Sequence, residues 1–192
     1  MVGILVMLMT SSVTAMPRLR EPAEDFPALL IGSDQGVGNG CSIGVVVLTA
    51  KHVTAAGELR WNVGTEVGSV EVLRRFDEDL AVLRLLRVDG THYTATPFRR
   101  VAKEAPRSGD PLRALVTYKD ERGPWRIVVH LRALTIDASG DLIMDGLSFP
   151  GVSGSCIINE SDEIVAIFAG TQSSALPVRE RGYAVPVWGR KL

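Results

Sequence analysis

The sequence lacks an excess of charge of either sign. Its 21 Lys and Arg residues are opposed by 22 Asp and Glu residues, which gives a formal net charge of -1. Proteins that bind nucleic acid or anionic membranes carry clustered positive charge. The arginines here, among them Arg74, Arg75, Arg99 and Arg100, are scattered beside strand-like segments and are interpreted as solvated faces. We therefore expect no nucleic-acid partner.

No apolar run is long enough to span a bilayer, so no stable membrane span is expected. The first fifteen residues, MVGILVMLMTSSVTA, are an apolar run followed by small polar residues, as in a secretory signal. No Lys or Arg precedes that run, which argues against a signal. Residues 1–15 are therefore a possible signal segment, with a misplaced start codon or a buried N-terminal strand as alternatives. Localisation stays open, and a secreted or periplasmic protein is favoured.

Cysteine is scarce, and its two positions match no metal-ligand spacing. Cys41 and Cys156 have no histidine close by in sequence. We expect neither a metal nor a cofactor. The two cysteines are expected to be buried thiols that act as small hydrophobes. A disulfide is the alternative, and it would fit export.

A sustained helical period is also missing, as is any glycine-rich nucleotide motif opening a helix, which excludes Rossmann and P-loop proteins. Instead, short β-type segments follow one another at intervals of roughly ten residues, separated by Gly, Asp, Asn and Pro turns. Polar and apolar residues alternate in 70–74 and 131–135, as in half-buried strands. The pattern predicts an all-β sandwich or barrel. The segments are PALLIG, GVVVLTA, ELRWNV, GSVEVLRRF, DLAVLRLL, PLRALVTY, WRIVVHLRALTI, SCIIN, EIVAIFAG and YAVPVW.

A stretch rich in proline and charge, residues 96–111, divides these segments into two similar halves. We expect an N-terminal β-barrel over residues 26–98 and a C-terminal β-barrel over residues 99–188. Two small barrels packed side by side would leave a cleft between them, which is a common place for a ligand or active site.

Three residues with complementary chemistry lie at strand boundaries. LTAKHV places His52 after an apolar run, FDEDLAVLRL places Asp79 directly before one, and FPGVSGS sets Ser153 between glycines that turn tightly. A serine, a histidine and an acid form the nucleophile, base and orienting group of a nucleophilic relay. The sequence therefore predicts an active site that combines residues of both halves.

Each of the three has a plainer interpretation. His52 can be a hydrogen-bonded histidine at a strand end, and Ser153 a simple turn serine. Asp77 and Glu78 compete with Asp79, which is preferred because it adjoins the apolar run that begins at Leu80. The two other histidines, His92 and His130, have no motif around them and are expected at the surface.

The blocks GNGCSIGVVVLTAKHV, DEDLAVLRL and PGVSGSCIINESDEIVAIFAG resemble, in this order, the signature blocks of chymotrypsin-fold (trypsin-like) serine proteases. The closest likeness is to the bacterial HtrA-like type, protease domain only, and GYAVPV resembles that domain's closing strand. The resemblance covers about Ile31 to Val187. It implies an all-β fold of two packed six-stranded β-barrels and a serine-type endopeptidase.

By this resemblance Ser153 is the nucleophile, His52 the general base and Asp79 the group that orients it. The backbone N–H groups of Gly151 and Ser153 would form the oxyanion hole, which stabilises negative charge on the substrate carbonyl oxygen. The substrate-binding residues would be Leu147, Phe149, Ala169, Gly170 and Tyr183. The partner is a protein or peptide substrate, and the oligomeric state is not predicted.

The sequence also departs from this family. Val152 stands where trypsin-type enzymes keep an aspartate that pairs with a new N-terminus, so activation by that route is not expected. Cys156 replaces a common proline, and no cysteine adjoins His52. Because the sequence stops at Leu192, we expect neither the HtrA-like peptide-binding domain nor its chaperone cycle.

Leu147 falls near the floor of the implied primary pocket, where trypsin-type enzymes place an acid. Without a buried carboxylate, an Arg or Lys side chain would be desolvated and unpaired there. We therefore expect cleavage after small or apolar residues.

Two other functions stay open, namely a catalytically silent peptide-binding homologue and a viral or phage processing protease. An esterase of the α/β-hydrolase type is disfavoured because there the serine comes first and the histidine last.

Overall fold

The computed structural model describes residues 28–33, 36–55, 57–63, 66–94, 99–120, 123–146, 150–172 and 181–190. These ranges contain strands, turns and one short 3₁₀ helix, but no α-helix. The all-β prediction is confirmed. The strands are β1 (Ala28–Ser33), β2 (Gly36–Ser42), β3 (Val47–Thr49), β4 (Arg60–Val63), β5 (Glu66–Arg75), β6 (Ala81–Arg87), β7 (His92–Tyr93), β8 (Pro111–Asp120), β9 (Gly123–Ile136), β10 (Leu142–Asp145), β11 (Cys156–Ile158), β12 (Ile164–Gln172) and β13 (Arg181–Pro186).

The first barrel is closed by antiparallel strands in the order β3-β2-β1-β4-β5-β6, because β3 also pairs with β6. β7 extends it by pairing with β6. Inside, Trp61 is almost fully buried, donates its Nε1–H to the Leu86 carbonyl at 2.9 Å and stacks on Tyr93 with ring centroids 4.2 Å apart. This aromatic pair anchors β4 to β6 and β7.

The second barrel is closed in the order β10-β13-β12-β11-β8-β9, with β9 pairing with both β8 and β10. Its interior is filled by apolar side chains from all six strands, including Leu112, Leu131, Met144, Ile157, Phe168 and Ala184. Two closed six-stranded barrels are the architecture that the family resemblance implies, and this expectation is confirmed.

The segment between the barrels lies against the second one. Val101 forms a parallel bridge with Ile164 of β12, Ala102 donates its N–H to the Ile164 carbonyl at 2.9 Å, and Arg99 pairs with Asp162 at 2.8 Å. The described part of the connection, residues 99–110, is thus hydrogen-bonded to β12 and to the turn before it.

The expectation of two free thiols is wrong, because Cys41 of β2 and Cys156 of β11 form a disulfide. Both are fully buried in an apolar cluster shared by the two barrels, to which Leu48 and Leu80 contribute from the first and Leu115 from the second. Packing the barrels together brings the two Cα atoms to 5.1 Å, within the range that a disulfide spans. The disulfide, which the sequence left as the alternative, joins residues 115 positions apart.

Within the described residues, no helix has the length and apolar character needed to cross a membrane. The possible signal segment, residues 1–15, lies outside the described ranges.

Candidate active site

His52 and Asp79 form a hydrogen-bonded pair at one end of the first barrel. His52 sits in the 3₁₀ helix Lys51–Thr54, which follows β3, and Asp79 lies just before β6. The ring Nδ1 of His52 is 2.6 Å from Oδ2 of Asp79, and the backbone N–H of His52 donates to Oδ1 at 2.8 Å. β3 pairs antiparallel with β6, with Thr49 opposite Ala81. The segment after β3 and the segment before β6 therefore lie at the same end of the two strands.

Two basic side chains fix the 3₁₀ helix to the segment that carries Asp79. Lys51 donates from Nζ to the carbonyls of Phe76 and Asp77, at 2.8 and 2.6 Å. Arg75 donates to the hydroxyl and the carbonyl of Thr54, at 2.9 and 3.0 Å. These bonds restrain the backbone on both sides of the pair. Sequence reasoning missed Lys51 and Arg75, since a lone basic residue beside a strand does not reveal backbone acceptors.

The competing acids are directed elsewhere. Asp77 and Glu78 are exposed, and Glu78 pairs with Arg190 at 3.0 Å. The Asp79 side chain is only 24% exposed, so it is the acid held in a protected position. His92 and His130 are exposed, as predicted.

The pair shifts both pKa values in opposite directions. The hydrogen bond to Asp79 raises the pKa of His52 above its usual value, and partial burial opposes that rise. Partial burial by itself would raise the pKa of Asp79, but hydrogen bonds from the ring and backbone of His52 outweigh it and hold this pKa below the usual value. The carboxylate is therefore ionised near neutral pH. With Nδ1–H donating to it, the neutral ring keeps Nε2 as an acceptor.

Ser153 lies in a tight turn of residues 150–154 that leads into β11. Gly151 and Gly154 adopt φ of +87° and +86°, which favour glycine. The turn is held by Ser155 N–H donating to the Val152 carbonyl at 3.0 Å and Gly154 N–H donating to the Phe168 carbonyl at 2.8 Å. Among the described residues, no backbone carbonyl accepts from the N–H of Gly151 or Ser153.

The turn of residues 150–154 packs against β2 and β3, the strands that precede the element with His52. A Cβ added at Gly38 of β2 would lie 2.7 Å from a methyl of Val53 and 3.0 Å from the Ser153 carbonyl oxygen. A Cβ at Gly154 would collide with the Asn39 carbonyl and lie 2.4 Å from the Thr49 hydroxyl oxygen. Glycine at both positions thus allows the backbone of Ser153 to approach the neighbours of His52. The structure brings together the three segments that the sequence singles out.

Asn39 of β2 is a residue of this site that sequence reasoning missed. It is fully buried, and its backbone N–H donates to the Ser153 carbonyl at 2.6 Å. Its side chain donates to the Gly151 carbonyl at 2.7 Å and accepts from the backbone N–H of Thr117 at 2.7 Å. The only signal in the sequence is that Asn39 lies between two glycines in GNGC, and this signal is weak.

The predicted substrate-binding residues divide into two groups. Leu147 and Phe149 lie outside the described residues. Gly170 and Tyr183 are partners in the β12–β13 ladder, and a Cβ at Gly170 would lie 2.9 Å from the Tyr183 ring. Ala169, only 2% exposed, packs its side chain in the core, so it can offer a ligand only its backbone.

No group of three His, Cys, Asp or Glu side chains within the described ranges is arranged to hold a metal ion.

No protein-family model matches the chain, and no curated protein matches it in sequence. Solved structures do match, and the three proteins described next are serine proteases. The inactive form of the Rv3671c protease of M. tuberculosis has a TM-score of 0.66 and 17% identity, covering 83% of each chain. A human pathogenic astrovirus serine protease has a TM-score of 0.66 and 17% identity, covering 90% of this chain and 94% of its own. A serine endoprotease from Yersinia pestis has a TM-score of 0.66 and 21% identity, covering 85% and 60%. The chain thus has the double β-barrel fold of chymotrypsin-like serine proteases, and the HtrA-like subtype stays a prediction.

Proposed function

We propose that the chain is a serine endopeptidase in which Ser153, His52 and Asp79 form the catalytic triad. The observation that carries the proposal is the 2.6 Å hydrogen bond between His52 Nδ1 and Asp79 Oδ2 at the junction of two chymotrypsin-like barrels. A serine hydroxyl is a weak nucleophile near neutral pH and needs an adjacent base. The Ser153 turn packs on β2 and β3, the strands that precede that base, and this supports the assignment.

In the proposed reaction His52 takes the proton of the Ser153 hydroxyl as its oxygen attacks the substrate carbonyl. Asp79 holds the ring with Nδ1–H towards itself and stabilises the imidazolium that forms. His52 then gives the proton to the leaving amine, and water hydrolyses the acyl-enzyme by the reverse path. Half of the His52 side chain is exposed, which is compatible with contact between the ring and a substrate.

The N–H groups of Gly151 and Ser153 are the proposed donors of the oxyanion hole. Neither donates to a backbone carbonyl among the described residues, which supports that role. One such donor contributes about 3–4 kcal/mol to transition-state stabilisation.

The proposal is tested by intact-mass analysis after treatment with a fluorophosphonate. We expect one adduct on the wild type and none on Ser153→Ala, with a much slower reaction for His52→Ala. A folded wild type that forms no adduct would contradict the proposal. The catalytically silent peptide-binding homologue would then be the better assignment.

For specificity we propose cleavage after small or apolar residues, as the sequence around Leu147 implies. Profiling on a peptide library decides this, and preferred cleavage after Arg or Lys would refute it. The likeness to the astrovirus protease favours the viral processing protease as a second candidate. Its test is cleavage of precursor proteins encoded beside this chain.

We also propose that the protein works in an oxidising compartment, secreted or periplasmic. The buried Cys41–Cys156 disulfide supports this, since such bonds persist where thiols are not kept reduced. N-terminal sequencing of the protein isolated from its source tests it. A mature chain that begins after residue 15 is expected, and an intact residue 1 would refute signal cleavage there.

A further inference from the structure

Asn39 belongs to the first barrel by its backbone, but both hydrogen bonds of its side chain go to the second. Nδ2 donates to the carbonyl of Gly151, and Oδ1 accepts from the backbone N–H of Thr117 in β8. These two partners fix the orientation of the amide, because a carbonyl can only accept and an N–H can only donate. The side chain is fully buried, so water cannot replace either partner.

The backbone of Asn39 engages the same turn. Its N–H donates to the Ser153 carbonyl at 2.6 Å, and its own carbonyl accepts from the Thr49 hydroxyl at 2.6 Å. The Val152 carbonyl, which lies between those of Gly151 and Ser153 in the chain, accepts from the Ser155 N–H at 3.0 Å. Three successive carbonyls of the turn are therefore engaged, two of them by one residue.

Carbonyl orientation determines the direction of the neighbouring N–H groups. In a trans peptide the C=O and the following N–H point in opposite directions. Holding the Val152 carbonyl towards Ser155 directs the Ser153 N–H away from that bond. Gly151, at φ +87°, has no side chain to limit its backbone, so the Asn39 amide restrains the peptide between Gly151 and Val152. That peptide lies between the two peptides that carry the N–H groups of Gly151 and Ser153.

We propose that Asn39 is a positioning residue that holds the turn of residues 150–154 so that the N–H groups of Gly151 and Ser153 face the reacting carbonyl. This inference rests on the proposed endopeptidase function. An aspartate would keep the acceptor for Thr117 but lose the donor to Gly151, and an alanine would lose both. Either change leaves a buried carbonyl without its partner, which favours a rearranged turn.

The test compares Asn39→Asp and Asn39→Ala with Leu85→Ala. Leu85 is 1% exposed in the core of the first barrel, so its truncation destabilises the fold without touching the turn. Hydrogen–deuterium exchange is measured for Gly154 and Ser155, whose N–H groups close the turn, relative to the strand β13. We expect both Asn39 variants to raise that ratio at least about tenfold, and Leu85→Ala to leave it unchanged.

On a peptide amide substrate, after correction for the folded fraction, we expect kcat to fall about 10–100-fold in both Asn39 variants while KM changes less than about threefold. Leu85→Ala should keep the wild-type kcat. A merely structural role would lower activity only with the folded fraction.

Equal exchange ratios in all variants would overturn the restraint, whatever the activity. Raised exchange with an unchanged kcat would overturn the positioning role. A wild type with neither turnover nor fluorophosphonate adduct would refute the proposed function instead, and the exchange ratios would still decide whether Asn39 holds the turn.

Discussion

Removing the Cys41–Cys156 bond would measure how much this bond contributes to the free energy of unfolding. The bond joins residues 115 positions apart. A cross-link of that span removes about 16 cal/mol/K of loop-closure entropy from the unfolded chain, equivalent to about 4.8 kcal/mol at 25 °C. Both side chains are fully buried, so substitution also removes packing contacts of two sulfur atoms.

We therefore expect the double variant Cys41→Ala/Cys156→Ala to unfold in urea with a free energy about 3–5 kcal/mol below that of the wild type, and with a Tm lower by roughly 10–15 °C. Wild type reduced while unfolded and refolded with reductant lacks the bond but keeps both sulfurs. Comparing it with the double variant separates the cross-link from the packing. Reductant should not change the stability of the double variant.

A loss below about 1 kcal/mol, at an unchanged denaturant slope, would refute this reasoning. Two titratable thiols in the unfolded, unreduced protein would refute the bond itself.

Three other predictions concern the histidine pair and a crowded glycine. Because Asp79 raises the pKa of His52, hydrolysis should rise with pH around a midpoint above about 6.5, and Asp79→Asn should lower that midpoint and reduce kcat on the order of 10⁴-fold. The pair should stabilise the fold most between about pH 4 and 6.5, since the Asp79 contribution is lost as pH falls through its lowered pKa and the His52 contribution as pH rises through its raised pKa. Urea unfolding of wild type and Asp79→Asn from pH 3 to 9 checks this, and a difference independent of pH would contradict it. In the first barrel, a Cβ at Gly68 would overlap the Leu86 carbonyl oxygen and lie 2.5 Å from Trp61 Nε1, so Gly68→Ala should cost roughly 2–4 kcal/mol. Gly36→Ala, with no atom within 4 Å of its Cβ, is the control, and equal losses would show that crowding is not the cause.

The barrels and the His52–Asp79 pair were accessible from the sequence because both depend on local patterns. Apolar β-formers mark most strands, and a histidine and an acid at strand boundaries predict a pair that the structure places 2.6 Å apart. The catalytic roles of these residues and of Ser153 stay predictions.

Strand β2 escaped prediction because its sequence, GVGNGCS, has low β-propensity. Its glycines allow close approach of neighbouring side chains instead. A Cβ at Gly38 or Gly40 would come within 2.7 Å of Val53 or 2.6 Å of Val47. Cys41 and Asn39 both lie on this strand, so missing it left the disulfide as an alternative only and hid the hydrogen bonds that join the barrels. Such contacts depend on how two closed barrels dock, which no local pattern encodes.

The Cys41–Cys156 bond also keeps the two barrels covalently joined if the chain between them is cut. Cys41 precedes the connection between the barrels and Cys156 follows it, while residues such as Lys103 in that connection are exposed. A protease that cut there would produce a two-chain molecule whose halves remain covalently joined. The barrel with His52 and Asp79 and the barrel with Ser153 would stay in one covalent molecule after this cleavage.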